Sequence, residues 1–165
     1  MTNQHQIIIV GGGNAGISVA ARLLRKNKQL DIAFIEPSRK HYYQPAWTLV
    51  GGGTFNINDT IRSEASVIPA KAKWIKDAVI SFQPAQNTVT TKQGDVYKYE
   101  YLVVAPVIQL DWEKVKGLKE TLGKICVTSN YSVEYAPYSF DCIKAMKPGM
   151  TAVFTSPSTA LKCGG

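Results

Sequence analysis

Apolar and polar positions alternate in register with a strand–turn–helix unit at the start of the chain. Ile7 to Val10 is an unbroken apolar run, Gly11-Gly12-Gly13-Asn14-Ala15-Gly16 follows, and apolar residues then recur at helical spacing to about Asn27. Leu30 to Ile35 is a second short apolar run, bounded by Pro37, and reads as a buried strand. Further on, Lys73 to Phe82, Thr88 to Lys92 and Val96 to Tyr99 alternate apolar and polar residues, with Gln86-Asn87 and Gly94-Asp95 as turns. This pattern predicts an antiparallel meander over about 72–99. Tyr101 to Ala105 is a buried strand expected to return beside the first. Asp59 to Ile68 is expected to be helical at its start, with Asn58 or Asp59 as a cap and Pro69 as its end. Trp47 to Val50 opens a short helix. Trp112 to Gly123 reads as a connector with short helical turns, and Val133 to Met146 as a helix disturbed by Pro137. Met150 to Thr155 reads as one more buried strand.

The glycine turn carries the first chemistry. A strand, GxGxxG and a helix form the opening of a dinucleotide-binding unit. In that reading Gly11 permits the sharp turn, Gly13 lets the backbone approach a pyrophosphate, and Gly16 lets the helix lie against the strand. The unpaired N–H groups of Asn14, Ala15 and their neighbours then face the phosphates, with the helix dipole behind them. Glu36 ends the second strand, twenty residues beyond Gly16. An acid at that spacing accepts hydrogen bonds from an adenosine ribose. Its charge also repels a 2′-phosphate, which favours FAD or NAD over NADP. After Pro37 the chain is rich in turn formers and aromatics, so Tyr42, Tyr43 and Trp47 sit where the middle of a nucleotide would lie. For any one of them, covering the sheet edge is the simpler role. Met150 to Thr155 is followed by Ser156-Pro157-Ser158-Thr159 and not by a second glycine turn, which disfavours an NAD(P)H-fed reductase.

Composition narrows the classes. The 165 residues suffice for one core or for the front part of a larger protein. No apolar run is long enough to cross a bilayer, and Met1 to Gln6 is too short and polar for a signal peptide, so a cytoplasmic setting is expected. The net charge of +7 suits an anionic partner, but it is scattered, and no nucleic-acid motif is present. Cys126, Cys142 and Cys163 form no CxxC pair and have no histidine nearby in sequence, so neither a metal site nor a disulfide scaffold is expected. Cys126 and Cys142 are expected to be small buried hydrophobes.

Longer stretches carry a more specific resemblance. EPSRKHYYQPAWTLVGGG (Glu36 to Gly53), ASVIPAKAKWIKDAV (Ala65 to Val79), IQLDWEKVKGL (Ile108 to Leu118), SNYSV (Ser129 to Val133) and FTSPSTALKCGG (Phe154 to Gly165) resemble the N-terminal part of sulfide:quinone oxidoreductases. The similarity covers essentially the whole chain; the stretch from Ile125 to Met146 resembles the family less than its surroundings.

The resemblance implies an α/β, Rossmann-like FAD/NAD(P)-binding three-layer ββα fold with an antiparallel β-meander insert, plus the start of a second nucleotide-binding-like domain. It divides the chain into an FAD-binding part (1–110), a connector (111–149) and the first strand and redox-cysteine turn of a second domain (150–165). It implies FAD held by Gly11, Gly13, Asn14, Ala15, Gly16, Glu36, Gln44 and Val79, the last through its backbone near the adenine. Cys163 in LKCGG looks like the first of two redox cysteines. Hydrosulfide would attack the oxidised pair to leave a persulfide, with two electrons passing through FAD to a quinone. The implied partners are sulfide, a small sulfur acceptor, quinone and a membrane surface reached through a C-terminal part outside this chain. The implied setting is peripheral to the inner membrane of a bacterial host. The 165 residues alone are expected to be inactive. Alternative readings are a type II NADH dehydrogenase-like flavin reductase and a catalytically silent nucleotide-binding fragment. One departure is local: Val107 follows Ala105-Pro106 where the family usually has glycine, a β-branched residue that resists positive φ and adds bulk.

Overall fold

The computed structural model describes residues 3–155. A six-stranded sheet organises them, in the order β5-β2-β1-β8-β7-β6. Strand β1 (Gln4–Val10) runs parallel to β2 (Ile32–Ile35) on one side and to β8 (Val96–Val104) on the other. Beyond β2 lies β5 (Lys73–Ile75), also parallel. Beyond β8, β7 (Thr88–Thr91) and β6 (Val79–Gln83) continue antiparallel. Helix α1 (Asn14–Lys26) crosses from β1 to β2 and packs Ala20 and Leu24 on Ile7, Ile9, Ile32 and Phe34. The opposite face packs Ile8, Val10, Ala33 and Ile35 against Val89, Tyr97 and Tyr99. Ile8, Ile9 and Phe34 are wholly buried, each contributing about 2–3 kcal/mol of apolar burial. A strand sealed on both faces has no polar side to show, which is why β1 and β2 read as continuous apolar runs.

A second, two-stranded sheet joins β3 (Lys40–Tyr42) to β4 (Ile61–Ser63). Between them lie a 3-10 turn (Gln44–Ala46), α2 (Trp47–Gly51) and another 3-10 turn (Ile57–Thr60). Helix α3 (Glu64–Val67) follows β4 directly. The connector holds a 3-10 turn (Trp112–Lys114) and α4 (Leu118–Thr121), and α5 (Ala136–Lys144) closes the described part. Ala136 packs with Trp47 and Val50, so α5 clamps the aromatic loop.

Several expectations need correction, the burial of Tyr101 to Ala105 among them: Tyr101 is 64% and Val104 54% exposed. Asp59 to Ile68 is not one helix: the chain turns at Ile57–Thr60 under an Asn56 cap, then extends as β4, because Ile61 to Ser63 find a partner in Lys40 to Tyr42. Lys73 to Phe82 is not one meander strand. Asp77 accepts backbone N–H bonds from Ala78 and Gln93 and breaks it, leaving β5 in the parallel sheet. The meander therefore starts at Val79, and its last strand is continuous with the expected return strand, since β8 spans both. Pro137 does not disturb a helix but begins one, in the first turn where its missing N–H costs nothing. Met150 to Thr155 is neither strand nor buried: Val153 is 79% and Phe154 87% exposed. Among the described residues no strand pairs with it, and an unpaired strand gains no ladder hydrogen bonds.

Candidate dinucleotide site

The parallel strands β5, β2, β1 and β8 bring four segments to one edge of the sheet: the residues after Ile75, Glu36, the glycine turn, and Ala105 to Val107. Backbone bonds carry the ladder into this edge, from Gly11 N–H to Ile35 (3.0 Å), Glu36 N–H to Ile75 (3.0 Å) and Ala105 N–H to Val10 (2.8 Å). The chain leaves β1 for β2 on one side and returns on the other side of β1 as β8, which makes this the crevice where ligands of open α/β sheets bind.

The glycines are used much as their spacing suggests. Gly11 has φ +103°, and a Cβ there would sit 2.2 Å from the Ala105 carbonyl oxygen. At Gly16 a Cβ would fall 2.2 Å from the Gly11 carbonyl oxygen, so only glycine lets α1 start this close to the strand. Gly13 precedes α1, and no side chain caps that helix. Asn14 and Ala15 are exposed, leaving the first turn open to an anion. Glu36 turns toward it: Oε2 accepts from Gly12 N–H at 2.8 Å and Oε1 from Ser38 N–H at 2.6 Å. Indole Nε1 of Trp74 donates to the Glu36 carbonyl at 2.8 Å and steadies the strand end.

Val79 opens β6 four residues after Ile75 and packs against the cluster that holds Val10 and Ile35, and Asp77 just before it is the residue that sets the turn. Hydrogen bonding from Thr91 holds the Asp77 carboxyl below the ordinary carboxylate range. Gln44 begins the 3-10 turn two residues after β3, whose His41 reaches the glycine turn. Cys163 lies outside the described residues. Val107 is not among the residues with positive φ, so the expected backbone conflict is absent. Its bulk is present beside the turn: Val107 Cγ2 lies 3.6 Å from where a Gly13 Cβ would be. The expectation of burial fails for Cys126, which is exposed, and holds only partly for Cys142, which is half-buried. Both belong to the surface layer around α5 and not to the core.

Sequence reading missed a buried acid behind this turn. Glu64 is 1% exposed, and its Oε1 has no hydrogen-bond partner. A Cβ on Gly12 would lie 2.3 Å from that oxygen, which gives Gly12, unmarked by the GxGxxG spacing, its own reason to be glycine. His41 Nδ1 stands 3.2 Å from the Gly12 carbonyl oxygen and 3.5 Å from Glu64 Oε2. A carbonyl only accepts, so Nδ1 carries a proton in that contact. Burial first, and the charge of Glu36 second, push the Glu64 carboxyl up to about 7. The only prior sign was an acid just before an apolar helix start; the β3–β4 ladder, which pairs Lys40 with Ser63, is what folds it under Gly12.

The profile of pyridine nucleotide-disulphide oxidoreductases matches residues 5–129, a span that holds the glycine turn, Glu36 and all but the first residue of the six-stranded sheet. The chain belongs to this family. Within the family it is 52% identical to the mitochondrial sulfide:quinone oxidoreductase of Dictyostelium discoideum, over 100% of this chain and 37% of that protein. The mitochondrial sulfide:quinone oxidoreductase of Mus musculus is 40% identical over 99% of this chain and 36% of its own length. The solved sulfide:quinone oxidoreductase of Aquifex aeolicus superposes with a TM-score of 0.70, 26% identity, and coverage of 85% of this chain and 32% of that one. The chain thus spans little more than a third of the curated relatives it matches. Its mostly parallel central sheet is the Rossmann-like fold of this oxidoreductase family. Among the described residues no helix is long and apolar enough to cross a membrane.

Proposed function

We propose that this chain is the FAD-binding portion of a sulfide:quinone oxidoreductase. The supporting observation is the 2.8 Å bond from Gly12 N–H to the Glu36 carboxylate, which sets a ribose acceptor beside an open, uncapped helix start. The match to sulfide:quinone oxidoreductases along the entire chain supports sulfide as the substrate class. In this reading the amides of Gly13 to Gly16 hold the pyrophosphate and Glu36 the adenosine ribose. Gln44 and the Val79 backbone contact other parts of the dinucleotide. Bound FAD supplies a two-electron acceptor.

Cys163 is one partner of the redox pair, the other coming from the portion of the relatives that this chain does not span. Hydrosulfide attacks the oxidised pair, breaking its S–S bond; one cysteine takes the sulfur as a persulfide and the other leaves as thiolate. A small sulfur acceptor then removes the outer sulfur. Quinone is the terminal acceptor, reached at a membrane surface; we assign that contact, and turnover itself, to the longer arrangement found in the relatives. Titration of the chain with FAD, followed by quenching of flavin fluorescence, tests the site: saturable binding is expected, and none at high micromolar FAD would overturn it. In a protein carrying this segment with the remaining portion of its relatives, Cys163→Ser should keep FAD bound and abolish bleaching by sulfide. Persisting bleaching would remove Cys163 from the reaction.

A second reading, a nucleotide-binding module without turnover, is favoured by the Val107 methyl group beside Gly13. Failure of FAD to bind until Val107 is replaced by glycine would select it.

A further inference from the structure

Two cysteines lie near one another at the surface on the far side of the aromatic loop. Lys124 and Val127 form an isolated antiparallel bridge, closed by a 2.8 Å bond from Val127 N–H to the Lys124 carbonyl. The two residues between them, Ile125 and Cys126, have φ of 46° and 60°. Positive φ at both central positions is the arrangement of a type I′ turn, normally given to Asn-Gly. Left-handed backbone is unfavourable for a β-branched residue such as Ile125, so the surroundings must hold this turn in place. Part of the hold is visible: Cys126 N–H donates to the Tyr138 hydroxyl at 3.1 Å.

Tyr138 and Cys142 lie one turn apart on α5 and therefore share a face. Through its contact with the Tyr138 hydroxyl, the Cys126 turn therefore lies on the α5 face that carries Cys142. Cys126 is exposed, Cys142 is half-buried, and neither is bonded to another cysteine. A disulfide needs Cβ atoms about 4 Å apart and Cα atoms within about 7 Å, and the Tyr138 contact brings Cys126 to the part of α5 that carries Cys142. The strained turn thus presents one thiol to solvent beside the helix face that holds a second.

We propose that Cys126 and Cys142 form a reversible dithiol–disulfide couple, distinct from Cys163, that exchanges with low-molecular-weight disulfides. The exposed Cys126 thiolate attacks such a disulfide, RSSR, forming Cys126–S–SR and releasing RS⁻. Cys142 then loses its proton and attacks the Cys126 sulfur, forming the internal bond and releasing the second RS⁻. Two cysteine thiols lose two protons and two electrons, and RSSR gains them as two RSH. Burial keeps the Cys142 thiol above its ordinary value, which suits the second step over the first. The bond ties the turn to α5, and Ala136 on α5 packs on Trp47 and Val50 beside Gln44.

The test is peptide mapping of the reduced chain after exposure to glutathione disulfide. The expected product is a Cys126–Cys142 cross-linked peptide, lighter by two hydrogens. Both thiols should be lost to a colorimetric thiol reagent and recovered with dithiothreitol. Cys142→Ser should stop at a glutathione adduct on Cys126, and Cys163→Ala should leave the cross-link intact. A stable glutathione adduct on wild-type Cys126, thiols that stay titratable, or a cross-link that needs Cys163 would overturn the proposal.

Discussion

Replacing Glu64 by glutamine tests the electrostatics behind the glycine turn. The side chain keeps its shape and loses only the ability to ionise. In the folded chain the Glu64 carboxyl is pushed from 4.5 to about 7, first by burial and then by Glu36. A carboxyl whose folded pKa is raised resists ionising in the native state. Its stabilising influence is therefore complete below 4.5, fades as pH rises, and is gone above about 7. At ~1.4 kcal/mol per tenfold in proton affinity, the full gap sets a ceiling of about 3 kcal/mol. Glu64 is sealed but shallow, with exposed Arg39 and Lys40 on the segment over it. Water close by lowers the working figure to about 1–2 kcal/mol. Facing groups among the described residues are Glu36 from the end of β2 and His41 from β3.

Urea unfolding of wild type and Glu64→Gln at about pH 4 and about pH 8.5 measures the effect. The two should match within about 0.5 kcal/mol at the lower pH, where the Glu64 carboxyl is mostly neutral both folded and unfolded. At the higher pH the variant should be more stable by about 1–2 kcal/mol. Adding Glu36→Gln should shrink the difference without abolishing it, because burial is the larger cause. Equal stabilities at both pH values, or a variant weaker at both, would refute the assignment.

Other perturbations address the cradle itself. Glu36→Ala should weaken FAD by about 1–3 kcal/mol through loss of a charged acceptor, measured as the dissociation constant from fluorescence quenching; an unchanged constant removes Glu36 from the site. Val107→Gly should tighten FAD by clearing the methyl group 3.6 Å from the Gly13 Cβ position, and equal affinity in both proteins counts against that steric reading. Gly16→Ala would push a methyl group to 2.2 Å from the Gly11 carbonyl oxygen, so it should lower thermal stability and FAD affinity together. Normal melting with normal binding would show that α1 can move away cheaply. Asp77→Asn should remove stability that is present at neutral pH and lost as pH falls, since its folded carboxyl titrates low; an unaltered acid-unfolding curve would exclude Asp77 as the pin of the Val79 turn.

Much of the site was legible because its signals are local. Gly11 to Gly16 and Glu36 sit within one strand–turn–helix–strand unit, where spacing along the chain translates directly into position. The run Ile7 to Val10 could hardly be anything but a doubly covered strand. Where local pattern met a competing partner, it lost. Asp59 to Ile68 has helical character, but Ile61 to Ser63 gain ladder bonds from Lys40 to Tyr42, twenty residues away. Lys73 to Phe82 alternates without a visible break, and the break came from Asp77 reaching Gln93 across a hairpin. Met150 to Thr155 is apolar enough for a strand, yet a strand is a relation between two segments, and among the described residues it has no second one.

The amino-acid sequence on its own determined the nucleotide-binding unit, the family, and the acid that ends the second strand, because each depends on neighbours a few residues apart. Only the tertiary structure decided that Glu64 and His41 stand behind Gly12, that Val107 lies beside Gly13, and that Cys126 sits against Tyr138 on the helix that carries Cys142. Those contacts join residues separated by long intervening stretches, and their chemistry comes from burial and close approach. Neither quantity exists until the sheet and its flanking ladder have closed.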